Sequence, residues 1–73
     1  MNEVYIVLND WLENTDLFGI YDSFEDAKNA VNNWADDGEW TSENRFETNY
    51  GGTYRIVTVL SNYNIKIISP LYS

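Results

Sequence analysis

Cysteine and histidine are both missing from these 73 residues, and the two absences remove a good deal of chemistry. No disulfide can staple the fold. With neither thiolate nor imidazole, the usual zinc sites cannot be built, and thiol nucleophiles and imidazole bases are gone. Positive charge is nearly missing as well: four Lys and Arg stand against twelve Asp and Glu, a net charge of −8. Nucleic-acid-binding proteins draw affinity from neutralising phosphates with Lys and Arg, so direct binding to nucleic acid is not expected, and an anionic membrane surface is disfavoured by the same sign. No apolar run approaches the roughly 18 residues that span a bilayer. No basic start leads into an apolar stretch of the secretory type, so a cytoplasmic location is expected. Proline occurs once, at Pro70, where it should end the last strand or lie on an edge.

A chain this short forms one domain, residues 1–73, and buries only about 60% of its unfolded surface. Stability must come from packing or from oligomerisation. The composition permits the first, with 44% hydrophobic and 16% aromatic residues.

"EVYIVLN" (3–9) alternates in the manner of a strand, and "LFGIY" (17–21) reads as a second strand, hairpinned to the first across the polar stretch 10–16. Gly19 marks a bulge or a close backbone approach. A helix is predicted from about 24 to 36. Ser23 is its N-cap with Asp26 three residues on, Phe24, Ala27, Val31 and Trp34 form its core face with Ala30 beside them, and Gly38 stands where a left-handed C′ residue belongs. After a polar connection come strands at 44–50, 53–61 and 64–72, with Gly51-Gly52 as a hairpin signal and Asn62-Tyr63-Asn64 as a second turn. The order β-β-α-β-β-β predicts an α+β domain, one helix packed on one face of a mostly antiparallel sheet.

Catalytic and metal chemistry find little support. Paired carboxylates can hydrolyse glycosides, but one layer of sheet and helix leaves little room for a deep cleft that excludes water. Gly51-Gly52 lacks the spacing of a phosphate loop. A calcium loop with Gly38 at its sixth position puts Ala35 at the third and Asn44 at the twelfth. Ala35 has no side-chain oxygen to ligate, and Asn44 cannot give the bidentate carboxylate an EF-hand requires at its twelfth position. The expectation is a protein that is not an enzyme and holds no metal and no cofactor.

The acids are distributed unevenly. Residues 1–43 hold eleven acids against Lys28 alone, while residues 44–73 hold Glu47 against Arg45, Arg55 and Lys66. Asp22, Glu25 and Asp26 sit at the helix N-terminus, where negative charge is favourable. Asp36 and Asp37 fall at the opposite pole, followed by Glu39 and Glu43, with no basic neighbour in sequence. A second cluster, Asp10, Glu13 and Asp16, surrounds Trp11 in the first loop. These acids form either a solvated coat that confers solubility or a surface for a basic partner, with Trp40 and Trp11 as aromatic anchors. Trp40 has the alternative of covering the sheet edge, and Trp34 reads as core.

Strand alternation adds a second candidate surface. With Val4, Ile6, Leu8, Phe18, Ile20, Ile56, Leu60, Ile65 and Ile67 beneath the helix, the other face carries Tyr5, Val7, Leu17, Tyr21, Val57, Val59 and Ile68. One helix cannot cover both faces, and an apolar patch of this size marks a site of association, with self or with another protein.

The runs "VYIVLND" and "LFGIYDSFEDAKNAV" resemble the hairpin-plus-helix opening of small bacterial and phage domains. In size, acidity and lack of Cys and His the chain is similar to phage-encoded inhibitors of host enzymes, among them anti-defence proteins and nucleic-acid mimics. That resemblance implies a non-enzymatic module, acting in the host cytoplasm, that occupies the basic surface of a nucleic-acid-binding protein. Two alternatives stand beside it: an accessory domain that dimerises through its open sheet face, and a domain with an aromatic pocket for a small molecule.

Overall fold

The computed structural model describes residues 2–61. Six elements follow one another: β1 (Asn2–Trp11), β2 (Asn14–Tyr21), α1 (Phe24–Trp34), β3 (Gly38–Ser42), β4 (Arg45–Thr48) and β5 (Thr53–Ser61). The strands form one antiparallel sheet in the order β2-β1-β5-β4-β3, with α1 across one face. The order is the expected β-β-α-β-β-β, but one strand is different. Gly38–Ser42, read in the sequence as connection, is β3, and the expected strand at 64–72 lies outside the described residues.

The helix begins as its sequence dictates. Ser23 is extended, and its Oγ accepts from the Asp26 backbone N–H at 3.1 Å, satisfying one of the donors that a helix start leaves open. Its end falls two residues earlier than the spacing predicts. Ala35 closes the helix in an extended conformation, its N–H donating to the Val31 carbonyl at 2.8 Å. Gly38 is not the C′ residue. It opens β3 with φ 142° opposite Thr48, and a Cβ there would collide with the Glu47 carbonyl oxygen and the Phe46 ring. The glycine serves close strand approach rather than a helix cap.

The faces of β1 are the reverse of the expected ones. Val7 is opposite Ile56 and Tyr5 opposite Tyr21. Val7, Tyr21, Ile56, Phe18, Phe46 and Tyr54 make the buried core with Ala27 and Val31 of the helix, and Tyr5 packs against it. Tyr5, Val7 and Tyr21 therefore lie under the helix and are not part of an open face. Val4, Ile6, Leu8 and Ile20 fall on the other side, with Leu17, Val57 and Val59; Ile68 lies outside the described residues.

The physical reason is volume. The helix turns Ala27 and Ala30 toward the sheet beside Val31, and the space left under the alanines is filled by large sheet residues to reach native packing density. Aromatics supply them. A chain of tilted ring contacts runs Trp34–Phe18–Tyr54–Phe46–Trp40, with centroids 5.4 to 6.4 Å apart. Such pairs contribute about 0.5–1.5 kcal/mol each beyond the area they bury.

Phe18 joins this core through a bulge. Val7 is opposite Gly19 and Leu8 opposite Leu17, so Phe18 is the extra residue of β2. Without that insertion, period-2 alternation would place Phe18 on the face away from Gly19. Gly19 is also a point of close approach, because the Tyr21 hydroxyl lies 2.6 Å from where its Cβ would be.

Candidate functional site

The polar stretch 10–16 is mostly strand, closed by the two-residue turn Leu12-Glu13. Leu12 has φ 56° and is 83% exposed. A positive φ at the first central residue of a two-residue hairpin is normally left to glycine. A branched, apolar residue therefore stands at a strained turn with its side chain in water.

Topology brings three connections to this end of the sheet. β1 and β5 are antiparallel with Asp10 opposite Thr53, so the turn after β1 and the turn before β5 are neighbours. Trp11 packs on Tyr50 of that second turn, ring centroids 5.8 Å apart. Both rings are exposed. The four-residue turn 49–52 is held by Thr48, whose N–H and Oγ1 both donate to the Gly52 carbonyl at 2.9 and 2.7 Å. Because Gly38 is opposite Thr48, the segment Asp36-Asp37 arrives at the same end. The tip thus collects Leu12, Trp11 and Tyr50 with the exposed acids Glu13, Asp36 and Asp37.

Other candidate residues have different positions. Asp10 is committed inside the protein. Its carboxylate accepts from Arg55 Nε and Nη2 and from Thr15 Oγ1, on the face away from the helix. The Arg55 hydrogen bonds, then that of Thr15, hold this carboxyl below its ordinary range. Asp16 lies opposite Asn9 in β2. Glu39 lies directly opposite Glu47 in β3, a like-charge pair that costs stability. Glu43 is in the turn after β3 and borders a different cleft, with Tyr5, Phe24 and Asn44.

Trp40 is not a free anchor. It is half-buried against Phe46, its indole N–H donates to Asn32 Oδ1 at 2.9 Å, and Lys28 Nζ lies 4.9 Å from its ring centroid. It covers the sheet edge and ties β3 to the helix. Trp34, expected in the core, is 48% exposed. It lays an edge over Phe18 while its outer face meets solvent. Sequence reasoning passed over Leu12 and Tyr50, and only the turn geometry draws attention to them.

The described cations are all engaged elsewhere. Arg55 pairs with Asp10, Arg45 Nε lies 3.5 Å from Glu47, and Lys28 sits over Trp40. Among the described residues no ion pair reaches Glu13, Asp36 or Asp37, and no helix is long and apolar enough to cross a membrane. Comparison with known families, curated proteins and solved structures finds no match. The small α+β domain and its acidic tip are therefore read on their own chemistry.

Proposed function

We propose that the protein is a non-enzymatic binding module whose hairpin tip engages a basic protein surface, in the manner of the phage- and mobile-element-encoded inhibitors it resembles. The observation that carries this reading is the tip itself. A leucine in a strained turn, two exposed aromatic rings and three acids without ion-pair partners among the described residues lie toward one end of the sheet, while Arg55 is bonded to Asp10, Arg45 lies beside Glu47 and Lys28 sits over Trp40. Apolar and aromatic anchors dominate interface energies, and surrounding carboxylates speed encounter with a positive surface and reject negative ones. The target class that fits is a nucleic-acid-binding enzyme of the host or of its defence systems, whose phosphate-binding groove the acids would occupy from within the cytoplasm.

The test is capture from a bacterial lysate followed by competition. A stoichiometric basic partner should be recovered and should lose its nucleic acid as this protein is added. The variant Glu13→Gln, Asp36→Asn, Asp37→Asn should bind at least tenfold more weakly, about 1.4 kcal/mol. A partner that keeps its nucleic acid, or that binds the triple variant equally well, refutes the reading.

One observation favours a second reading. On the face away from the helix, Leu17 and Val59 are exposed beside Ile6, Leu8, Ile20 and Val57. Association of two copies through this face is tested by sedimentation at micromolar concentration, where a monomer would dismiss it.

A further inference from the structure

Trp11, Tyr50 and Tyr54 line a pocket of about 200 Å³ together with Asn9, Thr48 and Gly52. Pockets for drug-sized ligands run to roughly 300–1,000 Å³, so this one has room for a single small group. Asn9 and Trp11 follow Val7 on the helix-facing side of β1, and Tyr54 is opposite Asn9, which puts the pocket on the face that carries α1. Tyr54 is its buried floor, tied to the core by contacts with Phe18 and Phe46. Trp11 and Tyr50 are its outer walls. Their rings are inclined at 58° with centroids 5.8 Å apart, so a small group in the angle between them can face both.

The turn 49–52 shapes one side. A Cβ on Gly52 would stand 3.0 Å from Trp11 Cε3 and 3.3 Å from Thr48 Oγ1, and Gly51 holds φ 103°. The glycine pair thus lets the indole lie against the turn. The polar groups here are mostly committed: the Thr48 N–H and Oγ1 both donate to the Gly52 carbonyl, which uses both its lone pairs. Few acceptors are left for a guest.

The electrostatic setting is negative. Trp34, the last residue of α1, and Tyr54 both pack on Phe18, and Gly38 is opposite Thr48. Asp36 and Asp37 therefore run from beside the floor toward the Thr48 side. Burial, then Tyr50, raise the Tyr54 hydroxyl above its ordinary value, the Trp34 indole lowers it, and the Asp36 carboxylate raises it. Asp36 is thus within electrostatic reach of the floor. The last turn of α1 holds no basic residue, so the negative pole of the helix, which favours cations, is unanswered there.

These features define a guest. Aromatic faces attract a cation within about 6 Å of their centroids, and the carboxylates repel anions. A primary ammonium brings three N–H donors and a guanidinium five, and a pocket with few free acceptors leaves them unpaired at a cost. A nitrogen carrying methyl groups in place of hydrogens keeps the charge, has no donors to satisfy and offers an apolar surface to the rings.

We propose that this pocket binds a trimethylammonium head group. The inference uses the same end of the sheet as the binding reading above but stands on the pocket and not on that target.

The experiment is a titration of the full chain with choline followed by ¹H–¹⁵N spectra, with ethanolamine and the uncharged tert-butyl isostere of choline as comparators. The Trp11 indole signal, assigned with Trp11→Phe, should shift saturably with choline. It should respond at least fivefold more weakly to ethanolamine, which lacks the methyl groups, and to the isostere, which lacks the charge. Tyr50→Leu should weaken choline binding at least fivefold and Asp36→Asn at least twofold. Both side chains are exposed, so the far-ultraviolet circular dichroism should stay as in the wild type. Two further titrants separate the sources of such a group. N-acetyl-trimethyllysine amide, standing for a protein, should bind as well as choline. Phosphocholine, standing for a lipid headgroup, should bind at least fivefold more weakly, because the acids repel its phosphate. An equal response to the isostere, tighter binding of phosphocholine, unchanged affinity in Tyr50→Leu, or an unmoved Trp11 signal overturns the assignment. If choline titrates the pocket and no basic partner is captured from lysate, the pocket stands and the inhibitor reading falls. If a basic partner is captured and choline leaves Trp11 unmoved, the pocket falls and the inhibitor reading stands.

Discussion

Replacing Leu12 by glycine should stabilise the free protein and impair its binding. An L-residue at φ 56° holds its Cβ too near the following carbonyl, at a cost of about 1–2 kcal/mol. Glycine removes that cost but adds unfolded-state freedom worth roughly 0.5–1 kcal/mol. The Leu12 side chain is 83% exposed, so its deletion forfeits little packing. The net gain is about 0.5–1 kcal/mol, and for a domain of this size Tm should rise by roughly 2–8 °C. Thermal unfolding followed by far-ultraviolet circular dichroism measures it. Two controls isolate the backbone. Leu12→Asn should give a similar rise, since asparagine tolerates the left-handed region. Leu12→Ala should leave Tm nearly unchanged, because it shortens the side chain and keeps the Cβ. All three should weaken binding of the proposed basic partner, since each removes the apolar tip. If alanine stabilises as much as glycine, the cost lay in the exposed side chain and the strain argument is wrong. If glycine lowers Tm, the turn is not strained at all.

Three further outcomes follow from the geometry. Val7→Glu should abolish cooperative folding by placing a carboxylate in the core, at a cost of several kcal/mol, whereas Val57→Glu should fold normally; circular dichroism reads both, and a Val7→Glu variant that folds as well as Val57→Glu would restore the phase of β1 expected from the sequence. Gly38→Ala should destabilise by about 1–3 kcal/mol, with hydrogen exchange rising first in β3 and β4 and last in α1; loss of protection at the helix end instead would make Gly38 a cap. Asp10→Asn should cost about 0.5–1 kcal/mol at neutral pH, discounted for partial exposure of the pair. The Asp10 carboxyl is depressed in the folded protein, so this stability is fully present above its unfolded value of about 3.9 and lost as pH falls through the lower folded one. Wild type and variant should therefore converge in acid, and a difference that persists there counts against the pairing.

Much of the architecture was legible in local pattern. Ser23 and the 24–34 periodicity specify the helix, because capping and amphipathicity act within a few residues. The alternation of 3–9 and 53–61 specifies strands. The phase of β1 was not legible. Val4, Ile6 and Leu8 on one side and Tyr5 and Val7 on the other are both apolar sets, and only pairing with Ile56 and Tyr21, beneath Ala27 and Val31 of the helix, decides between them.

The candidate site divides in the same way. Composition alone gives the excess of acid and the lack of Cys and His, and hence the absence of imidazole and thiolate chemistry. Tertiary structure decided which acids stand together. Asp10 is taken by Arg55 from 45 residues away, and Trp40 is drawn onto Phe46 and Asn32. Glu13, Asp36 and Asp37 lie toward the same end of the sheet because three connections end there. Local sequence fixes what a residue prefers within its own turn of helix or stretch of strand. Partners far along the chain are chosen by the register of the sheet and the volume left beneath the helix, and those are properties of the whole fold.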